Sequence, residues 1–387
     1  MTRWVLLTGE YQPMPGGVAD YTRLVAAGLA AHGDAVEVWV PPGAKDPGDP
    51  GVRVRTLPDH YGPRSLAALD RRLGGHDADR VILQYVPQAF GAKGMNVPFC
   101  LWLAARRRHR FWVMFHEVAF PIERGQRVRH KLLGAVTHAM AAILARSAGR
   151  LLLSTEAWRP ILARLAPRHR PADWLPVPSN LPTQVPAGAV AGVRDRIGAG
   201  PGTVVVGHFG TYSGQTTWCL DRVFPALLTA EPRRVGVVVG RGADGYAARI
   251  ATDHPALKGR VWSAAGAADV VAAHVAATDL LVQPYVDGAT TRRGSLMAAV
   301  GLGRPVVSTA GPLTEAFWTE TGAVALAPVD RPEEVLGVAE RLLRDPAARA
   351  RLGDTARQVY DDRFAIGRTV DSLRRLAGEP AAPGGTP

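Results

Sequence analysis

The amino-acid sequence predicts an α/β protein built from two domains, each with a doubly wound parallel sheet. Short runs rich in β-branched residues or leucine alternate with longer helical patterns, which is typical of βαβ units on a parallel sheet. This alternation occurs twice, on either side of a stretch dense in proline, glycine and alanine. The length of 387 residues also exceeds what one ordinary core accommodates.

The domain boundaries follow from the proline- and glycine-rich stretch. We predict a first domain over residues 1–178, a linker over 179–202 and a second domain over 203–355. The chain is then predicted to form an amphipathic C-terminal helix. Its last part, residues 356–376, is expected to cross back to the first domain. The tail 377–387 is rich in proline and glycine and is expected to be disordered.

The individual elements follow from the same alternation. The predicted strands are Trp4–Thr8, Val36–Val40, Val52–Leu57, Arg80–Tyr85, Phe111–His116 and Leu151–Ser154, then Val204–Phe209, Val235–Gly240, Val261–Trp262, Leu280–Pro284, Val306–Ser308 and Val324–Leu326. The predicted helices include Val18–His32, Arg127–Ala148, Trp218–Ala230, Ala267–Ala276, Gly294–Gly301, Pro332–Arg344 and Asp345–Leu376.

The composition limits the function classes. Hydrophobic residues make up 47% and charged residues 21%, which fits a folded globular protein. The formal charge is +12, and residues 1–180 hold most of it, with 24 basic and 14 acidic side chains. The two cysteines have no metal-binding spacing, and no apolar run predicts a signal peptide or a membrane span. We therefore expect a cytoplasmic protein.

One loop contains the most informative pattern. An apolar strand over 279–283 leads into a loop rich in glycine, threonine and arginine, and a helix of small residues begins near Ser295. Backbone N–H groups and the helix dipole favour an anion at such a helix start. Arg292 and Arg293 add two guanidinium groups that suit phosphate oxygens. The pattern predicts a diphosphate site, although a surface turn with two solvated arginines also explains it.

A second glycine loop follows the first strand. Gly16 and Gly17 open a helix, where paired glycines let the backbone approach a ligand. The spacing is not that of a dinucleotide-binding loop, and a tight turn is the alternative. Asp20 lies in the first turn of this helix; it is a candidate acceptor contact, although stabilisation of the helix N-terminus also explains it.

The order of these motifs resembles glycosyltransferase family 4 (group 1). The resemblance spans nearly the whole chain and rests on Pro15-Gly16-Gly17-Val18-Ala19 with Tyr21-Thr22, His32-Gly33-Asp34-Ala35-Val36-Glu37-Val38, Phe115-His116-Glu117, Leu153-Ser154-Thr155-Glu156, Pro178-Ser179-Asn180-Leu181-Pro182 and the loop through Gly303-Arg304-Pro305.

The resemblance implies a GT-B architecture, in which two Rossmann-like domains face each other across a cleft. It places a nucleotide-sugar donor, UDP- or GDP-linked, in the C-terminal domain and the acceptor in the N-terminal one. Most members retain the anomeric configuration and need no metal, so no cofactor is expected. The predicted donor domain, residues 203–355, likewise has no Asp-x-Asp triplet to hold a divalent ion against a diphosphate.

The chain departs from the family pattern at the donor. Two glutamates eight residues apart are replaced by Thr290 and Ala298. The usual arginine–lysine pair is missing from the loop 210–217. We expect Arg292 and Arg293 to take over the diphosphate charge. The other candidate donor-binding residues are Gly16, Gly17, Gly210, Thr211, Thr290, Thr291, Gly294 and Ser295.

The catalytic candidates lie in the first half. His116 ends a strand, and the resemblance places a histidine there near the donor sugar and the acceptor; a structural histidine is the alternative. Glu117 could orient His116, act as a base or cap a loop. Glu156 and Glu315 follow strands in turns and are interpreted as helix-start carboxylates.

Arginines and aromatic residues alternate between Phe99 and Trp112. This pattern leaves peripheral contact with an acidic membrane open, while an amphipathic helix followed by a buried strand is the plainer interpretation. No nucleic-acid-binding motif accompanies the charge.

The sequence thus predicts a glycosyltransferase acting on a small-molecule or lipid-linked acceptor, in natural-product or cell-envelope glycan synthesis of a bacterium. The alternatives are a nucleotide-sugar epimerase or hydrolase, and a catalytically silent sugar-nucleotide-binding subunit.

Overall fold

The computed structural model describes residues 1–14, 16–74, 80–106, 111–170 and 172–378. The chain forms two compact units. The first comprises residues 1–176 together with the C-terminal segment from Ile366, and the second comprises residues 177–365. Each unit is a parallel sheet with helices, as the sequence predicts.

The first unit contains a seven-stranded parallel sheet in the order β3-β2-β1-β4-β5-β6-β7. Its strands are β1 Arg3–Thr8, β2 Ala35–Val40, β3 Val52–Thr56, β4 Arg80–Tyr85, β5 Trp112–Phe115, β6 Arg150–Leu153 and β7 Ala172–Trp174. Its helices before the second unit are α1 Gly17–Ala31, α2 Pro63–Leu73, α3 Val97–Ala105, α4 Val128–Ser147 and α5 Arg159–Leu165. The central strands β1, β4 and β5 are almost wholly buried, because strands covered on both faces need continuous apolar runs.

The second unit contains a six-stranded parallel sheet in the order β10-β9-β8-β11-β12-β13. Its strands are β8 Val204–Phe209, β9 Arg234–Val239, β10 Val261–Ala264, β11 Leu280–Gln283, β12 Val306–Ala310 and β13 Ala325–Pro328. Its helices are α6 Ala187–Arg196, α7 Gly214–Thr229, α8 Ala243–Asp253, α9 Ala268–Ala276, α10 Gly294–Gly301, α11 Ala316–Thr321, α12 Pro332–Arg344 and α13 Pro346–Arg363. One large core joins this sheet to α7, α8 and α12.

The last predicted helix is in fact two helices. α13 ends at Arg363, and α14 Ile366–Leu376 belongs to the first unit. Phe364, at the break, is fully buried and packs on Phe317 and Trp318 with ring centroids 5.3 and 5.8 Å away. This tertiary packing ends the helix although the amphipathic pattern continues.

α14 is tied to the start of the first sheet. Arg374 donates to the buried carboxylate of Asp34 at 2.9 Å, and Asp34 also accepts from the backbone of Thr2 at 2.9 Å. α14 also packs on α1 at Gly28, where a Cβ would lie 2.7 Å from Val370 Cγ2.

Several expectations differ from the structure in detail. Residues 187–196, inside the stretch expected to be a linker, form helix α6, whose Arg194 donates to the backbone of Ala277 at 2.9 Å. Strand β7 was not predicted, because its three residues give no periodic pattern. The tail from 379 onward lies outside the described residues. No helix in the described ranges is both long enough and apolar enough to cross a membrane.

Candidate functional site

Each sheet has one topological switch point, which defines where a ligand can bind. In the first sheet the chain leaves β1 in one direction and returns to β4 on its other side; in the second sheet β8 and β11 stand in the same relation. Ligands of doubly wound sheets bind beyond the carboxyl ends of the strands at this point.

The loops after β1 and β4 meet closely at the first edge. A Cβ on Gly9 would lie 2.1 Å from the carbonyl oxygen of Ala89, so only glycine fits there. The next residue, Glu10, is partly exposed, and its backbone N–H donates to Thr8 Oγ1 at 3.3 Å. This packing fixes the position of the residues that leave the strand.

His116 directly follows β5 and lies inside this edge. It is 6% exposed, its Nε2 donates to Gln84 Oε1 at 2.8 Å, and its ring meets that of Tyr21 edge-on at 4.8 Å. Burial lowers the pKa of His116 to about 3. The imidazole is therefore neutral at ordinary pH and a weak proton acceptor. With Nε2–H engaged by Gln84, its acceptor atom is Nδ1.

Two carboxylates lie at the same edge. Glu117 Oε2 accepts a hydrogen bond from Gln88 Nε2 at 3.2 Å. Burial raises the pKa of Glu10, and electrostatic repulsion from Glu117 raises it further. Glu10 therefore holds a proton more strongly than an isolated carboxyl group does.

The glycine loop contacts one of these carboxylates. A Cβ on Gly16 would lie 2.6 Å from Glu10 Oε2, whereas a Cβ on Gly17 would meet nothing within 4 Å. Asp20 accepts a hydrogen bond from Gln12 Nε2 at 2.9 Å. The structure thus brings Gly16, Glu10 and Glu117 together, while the space beside Gly17 is open.

The second edge contains the loop that leaves β11. Its start is anchored on β12, because Thr309 Oγ1 accepts from the backbone of Tyr285 at 2.8 Å and donates to its carbonyl oxygen at 2.6 Å. Farther along, Glu315 Oε1 accepts from Thr291 Oγ1 at 2.7 Å and Glu315 Oε2 accepts from the Thr291 backbone at 2.6 Å. Glu315 precedes α11 as expected, but its carboxylate also holds this loop.

Arg292 and Arg293 share a carboxylate that the sequence reasoning did not select. Arg292 forms an ion pair with Asp287 at 2.5 Å, and Arg293 pairs with the other oxygen of the same group. Burial raises the pKa of the Asp287 carboxyl group, but the attraction of Arg293 and Arg292 lowers it by more. The pKa of Asp287 therefore lies below its ordinary value. The two arginines are therefore not solvated side chains. These three side chains together have a net charge of +1.

The neighbouring residues complete this cationic loop. The Arg293 guanidinium lies 4.9 Å from the ring centroid of Tyr285, and the hydroxyl groups of Tyr285 and Ser295 are 2.8 Å apart. α10 begins at Gly294, and no side chain caps its first turn. Those N–H groups are available to an anion.

The remaining donor candidates lie around β8. Gly210 is packed against the loop after β9, since a Cβ on Gly240 would lie 2.2 Å from the Gly210 carbonyl oxygen; Thr211 is exposed. Burial lowers the pKa of His208 to about 4. Its Nδ1 donates to the Val282 carbonyl oxygen at 2.8 Å, so its Nε2 is an acceptor.

Several buried polar atoms at this edge have no hydrogen-bond partner within the described part of the chain, among them His208 Nε2, both amide atoms of Gln283 and Thr290 Oγ1. Buried polar groups normally have partners. Thr290 was a predicted donor residue, whereas His208 and Gln283 were not. Their only sequence signal was a polar residue at or next to the end of an apolar strand.

Sequence reasoning also missed Glu10 and Asp287. Glu10 lies two residues after a strand end, and Asp287 lies five residues before Arg292; both are ordinary loop carboxylates until the fold is known. No group of three or more histidine, cysteine or carboxylate side chains suited to a metal ion occurs within the described ranges.

Most of the first unit matches a known family. Residues 16–178 match the model of the glycosyl transferase 4-like domain. This match confirms the family resemblance and the glycosyltransferase class predicted from the motifs. No curated protein sequence matches the chain.

Solved structures resemble the whole chain in fold. WaaG, a glycosyltransferase involved in lipopolysaccharide biosynthesis, has a TM-score of 0.70 at 17% identity, over 97% of this chain and 100% of its own. HepE from Anabaena, in complex with UDP and glucose, has a TM-score of 0.70 at 16% identity, over 98% and 100%. Sucrose-phosphate synthase from Thermosynechococcus elongatus has a TM-score of 0.74 at 16% identity, over 97% and 98%. These likenesses confirm the predicted GT-B fold.

Proposed function

We propose that this chain, a glycosyltransferase by its glycosyl transferase 4-like domain, transfers a sugar from a UDP- or GDP-linked donor to a hydroxyl group. The observation that carries the donor assignment is the arginine pair Arg292–Arg293, ordered at the start of α10 beside a switch point. The acceptor is a small or lipid-linked molecule of natural-product or cell-envelope glycan synthesis.

The second unit binds the diphosphate in this proposal. Phosphate oxygens accept from both guanidinium groups and from the uncapped N–H groups of α10. Negative charge grows on the diphosphate as the sugar leaves, so the same donors stabilise the transition state. The complex of HepE with UDP supports a nucleoside diphosphate as the ligand.

Asp287 orders the arginines before the donor binds. Without it, two guanidinium groups would repel each other in a half-buried loop. A diphosphate has more negative charge than one carboxylate, so it competes with Asp287 for both arginines. The geometry is therefore prepared in advance, at the cost of part of the electrostatic attraction.

The first unit orients the acceptor. Glu10 and Glu117 accept hydrogen bonds from acceptor hydroxyl groups, and neutral His116 positions the reacting group without adding charge. In a retaining reaction the bond between the sugar and the diphosphate breaks as the acceptor oxygen attacks from the same face. The acceptor proton then goes to the departing phosphate, so no enzymic nucleophile is needed.

We propose that transfer is metal-independent and retaining. The support for metal independence is that Arg292, Arg293 and the α10 N-terminus can meet the diphosphate charge. The anomeric coupling constant of the purified product, measured by NMR, tests retention; an inverted product overturns that part of the proposal. Full turnover in excess chelator tests metal independence.

The donor assignment is tested with a thermal-shift panel of nucleoside diphosphates. Selective stabilisation follows RT ln(1 + [L]/Kd) and reports affinity without an acceptor. We expect UDP or GDP to raise the Tm of the wild type, and Arg292→Ala/Arg293→Ala to abolish the shift and reduce turnover by at least about 100-fold.

The matched control is Arg351→Ala/Arg363→Ala, which removes two exposed arginines of the same unit and should keep the shift. An unchanged nucleotide shift in Arg292→Ala/Arg293→Ala removes the assignment. Donor consumption without an acceptor identifies the hydrolase or epimerase alternative, and binding without any turnover identifies the silent subunit.

A further inference from the structure

An apolar stripe runs along the solvent side of α4, where a surface helix normally has polar residues. Val128 is 82% exposed and Leu132, one turn later, is 58% exposed. Ala135 and Ala139 are exposed at the following positions of the same stripe. The opposite side of α4 is buried in the first unit, so the helix has two apolar faces.

The segment before α4 extends this apolar face. Phe120 is 37% exposed and Ile122 is 52% exposed. Both are held by α4: the Phe120 backbone donates to Thr137 Oγ1 at 3.0 Å, and Ile122 packs so closely that a Cβ on Gly134 would lie 2.5 Å from its Cγ1. Of the nine exposed large hydrophobic side chains in the described ranges, four lie within residues 120–132, so they form a patch rather than scattered residues.

Cations surround the patch. Arg124, Arg127, Arg129 and Lys131 are exposed, against Glu123 as the single acid within 120–132, which gives a net charge of 4 − 1 = +3. None of the four cations forms an ion pair with the described part of the chain. Their charge is therefore unneutralised, unlike that of Arg292 and Arg293.

The stretch 99–110, where the sequence leaves membrane contact open, does not form a comparable surface in its described part. Phe99 is buried, and Arg106 is paired with Asp70 and lies over the ring of Trp102 at 4.1 Å. Residues 107–110 lie outside the described ranges.

We propose that residues 120–139, the docking face, bind an anionic membrane surface. Exposed apolar side chains insert at the boundary of headgroups and acyl chains, and flanking arginines and lysines meet lipid phosphates. A nucleic acid would use the cations but not the apolar stripe. This inference does not depend on the proposed donor, because no residue of the docking face lies at either switch point.

Vesicle flotation of the full-length protein tests the proposal. We expect binding to vesicles of phosphatidylcholine with phosphatidylglycerol, and at least about tenfold weaker binding to phosphatidylcholine alone or in 0.5 M salt. Arg129→Ala/Lys131→Ala should weaken binding about tenfold. The matched control Arg168→Ala/Arg170→Ala makes the same change in net charge elsewhere on the first unit and should bind as the wild type does.

The apolar contribution is tested separately. Val128→Ser/Leu132→Ser keeps the charge and should weaken binding about tenfold or more, whereas Val270→Ser, an exposed valine of the second unit, should not. Insertion is visible with a solvatochromic dye on Val128→Cys, because Cys100 and Cys219 are buried. A blue shift is expected with acidic vesicles and none with the dye on Val270→Cys.

Three flotation results overturn the proposal: equal binding of the wild type to neutral and acidic vesicles, no binding to either, or loss of binding in the control variants to the same degree as in the docking-face variants. A concentration-dependent dimer that Val128→Ser/Leu132→Ser dissolves would also overturn it and assign the face to a second copy of the chain.

Discussion

The two sheets end in different sets of charged side chains. The switch-point edge of the first sheet has Glu10 and Glu117 with a neutral histidine, whereas that of the second sheet has two arginines that share Asp287. Both edges are built in the same way, from apolar parallel strands and glycine-rich loops. The sheet architecture therefore determines where a ligand can bind, and a few loop residues decide whether that edge binds hydroxyl groups or an anion.

The largest expected effect comes from removing the negative charge of the first edge. Glu117→Gln and Glu10→Gln should each lower kcat about 100-fold or more, because acceptor orientation is lost, while the nucleotide-induced Tm shift stays unchanged. Glu117→Gln also removes the repulsion that raises the pKa of Glu10. The acid limb of its kcat/KM profile should therefore move to lower pH.

Steady-state kinetics measured across pH report both the fall in kcat and the shift of the acid limb. Glu123→Gln, at an exposed position of the same unit, is the matched control and should leave both unchanged. Loss of the nucleotide shift in either edge variant would show that the two edges do not divide the tasks as proposed.

Each edge also contains a buried histidine that makes the free energy of unfolding depend on pH. An unfolded histidine titrates near pH 6.5, but the native pKa is about 3 for His116 and about 4 for His208. Their contribution to stability is fully present above pH 6.5 and is lost as the pH falls towards the native value, by about 1.4 kcal/mol per pH unit for each group.

His116→Asn and His208→Asn should each flatten the decline in the free energy of unfolding below pH 6.5, and the flattening should extend to lower pH for His116→Asn. Denaturant titrations at pH 7, 5.5 and 4 measure it. His32→Asn, which changes an exposed histidine, is expected to follow the wild type. Parallel curves for all four proteins would contradict burial as the cause.

Asp287→Asn tests the shared carboxylate of the second edge. The pKa of Asp287 is lowered, so its stabilisation is present above its unfolded pKa and is lost as the pH falls through the native value. We expect a loss of about 1–3 kcal/mol at pH 7, because the ion pairs are only partly buried. The carboxylate then no longer competes with the ligand for the two arginines, so nucleoside diphosphates should bind about tenfold more tightly.

Calorimetric titration with the diphosphate and unfolding at pH 7 measure this pair of opposite effects. Asp221→Asn, at an ion-paired aspartate elsewhere in the second unit, should not raise affinity. Weaker diphosphate binding in Asp287→Asn would mean that the ordering of the arginines by Asp287 outweighs the positive charge that it neutralises.

The smallest effect separates the two glycines of the first edge. Gly16→Ala would place a Cβ 2.6 Å from Glu10 Oε2, and the flexible carboxylate must move, so we expect a loss of about tenfold in kcat. Gly17→Ala meets nothing within 4 Å and lies at the start of α1, so activity should persist and stability should rise by at most about 1 kcal/mol. Equal loss in both variants would point to backbone freedom, not contact with Glu10.

The sequence by itself determined the class of the fold and the order of its motifs. Apolar runs and helical periodicity are local properties, so helices such as Gly294–Gly301 and Pro332–Arg344 agree with the structure to the residue. The loop with Arg292 and Arg293 was also recognisable, because a strand, a glycine-rich turn and a helix start are contiguous in the chain.

Only the tertiary structure decided which side chains meet. Arg374 and Asp34 are 340 residues apart, and Glu10 meets Gly16 through the path of a loop; no periodic pattern encodes either contact. The sharing of Asp287 between two arginines likewise depends on loop geometry, and the break at Phe364 depends on packing against α11. Charge pairing and burial act through space, so they set the electrostatics of both edges only once the chain has folded.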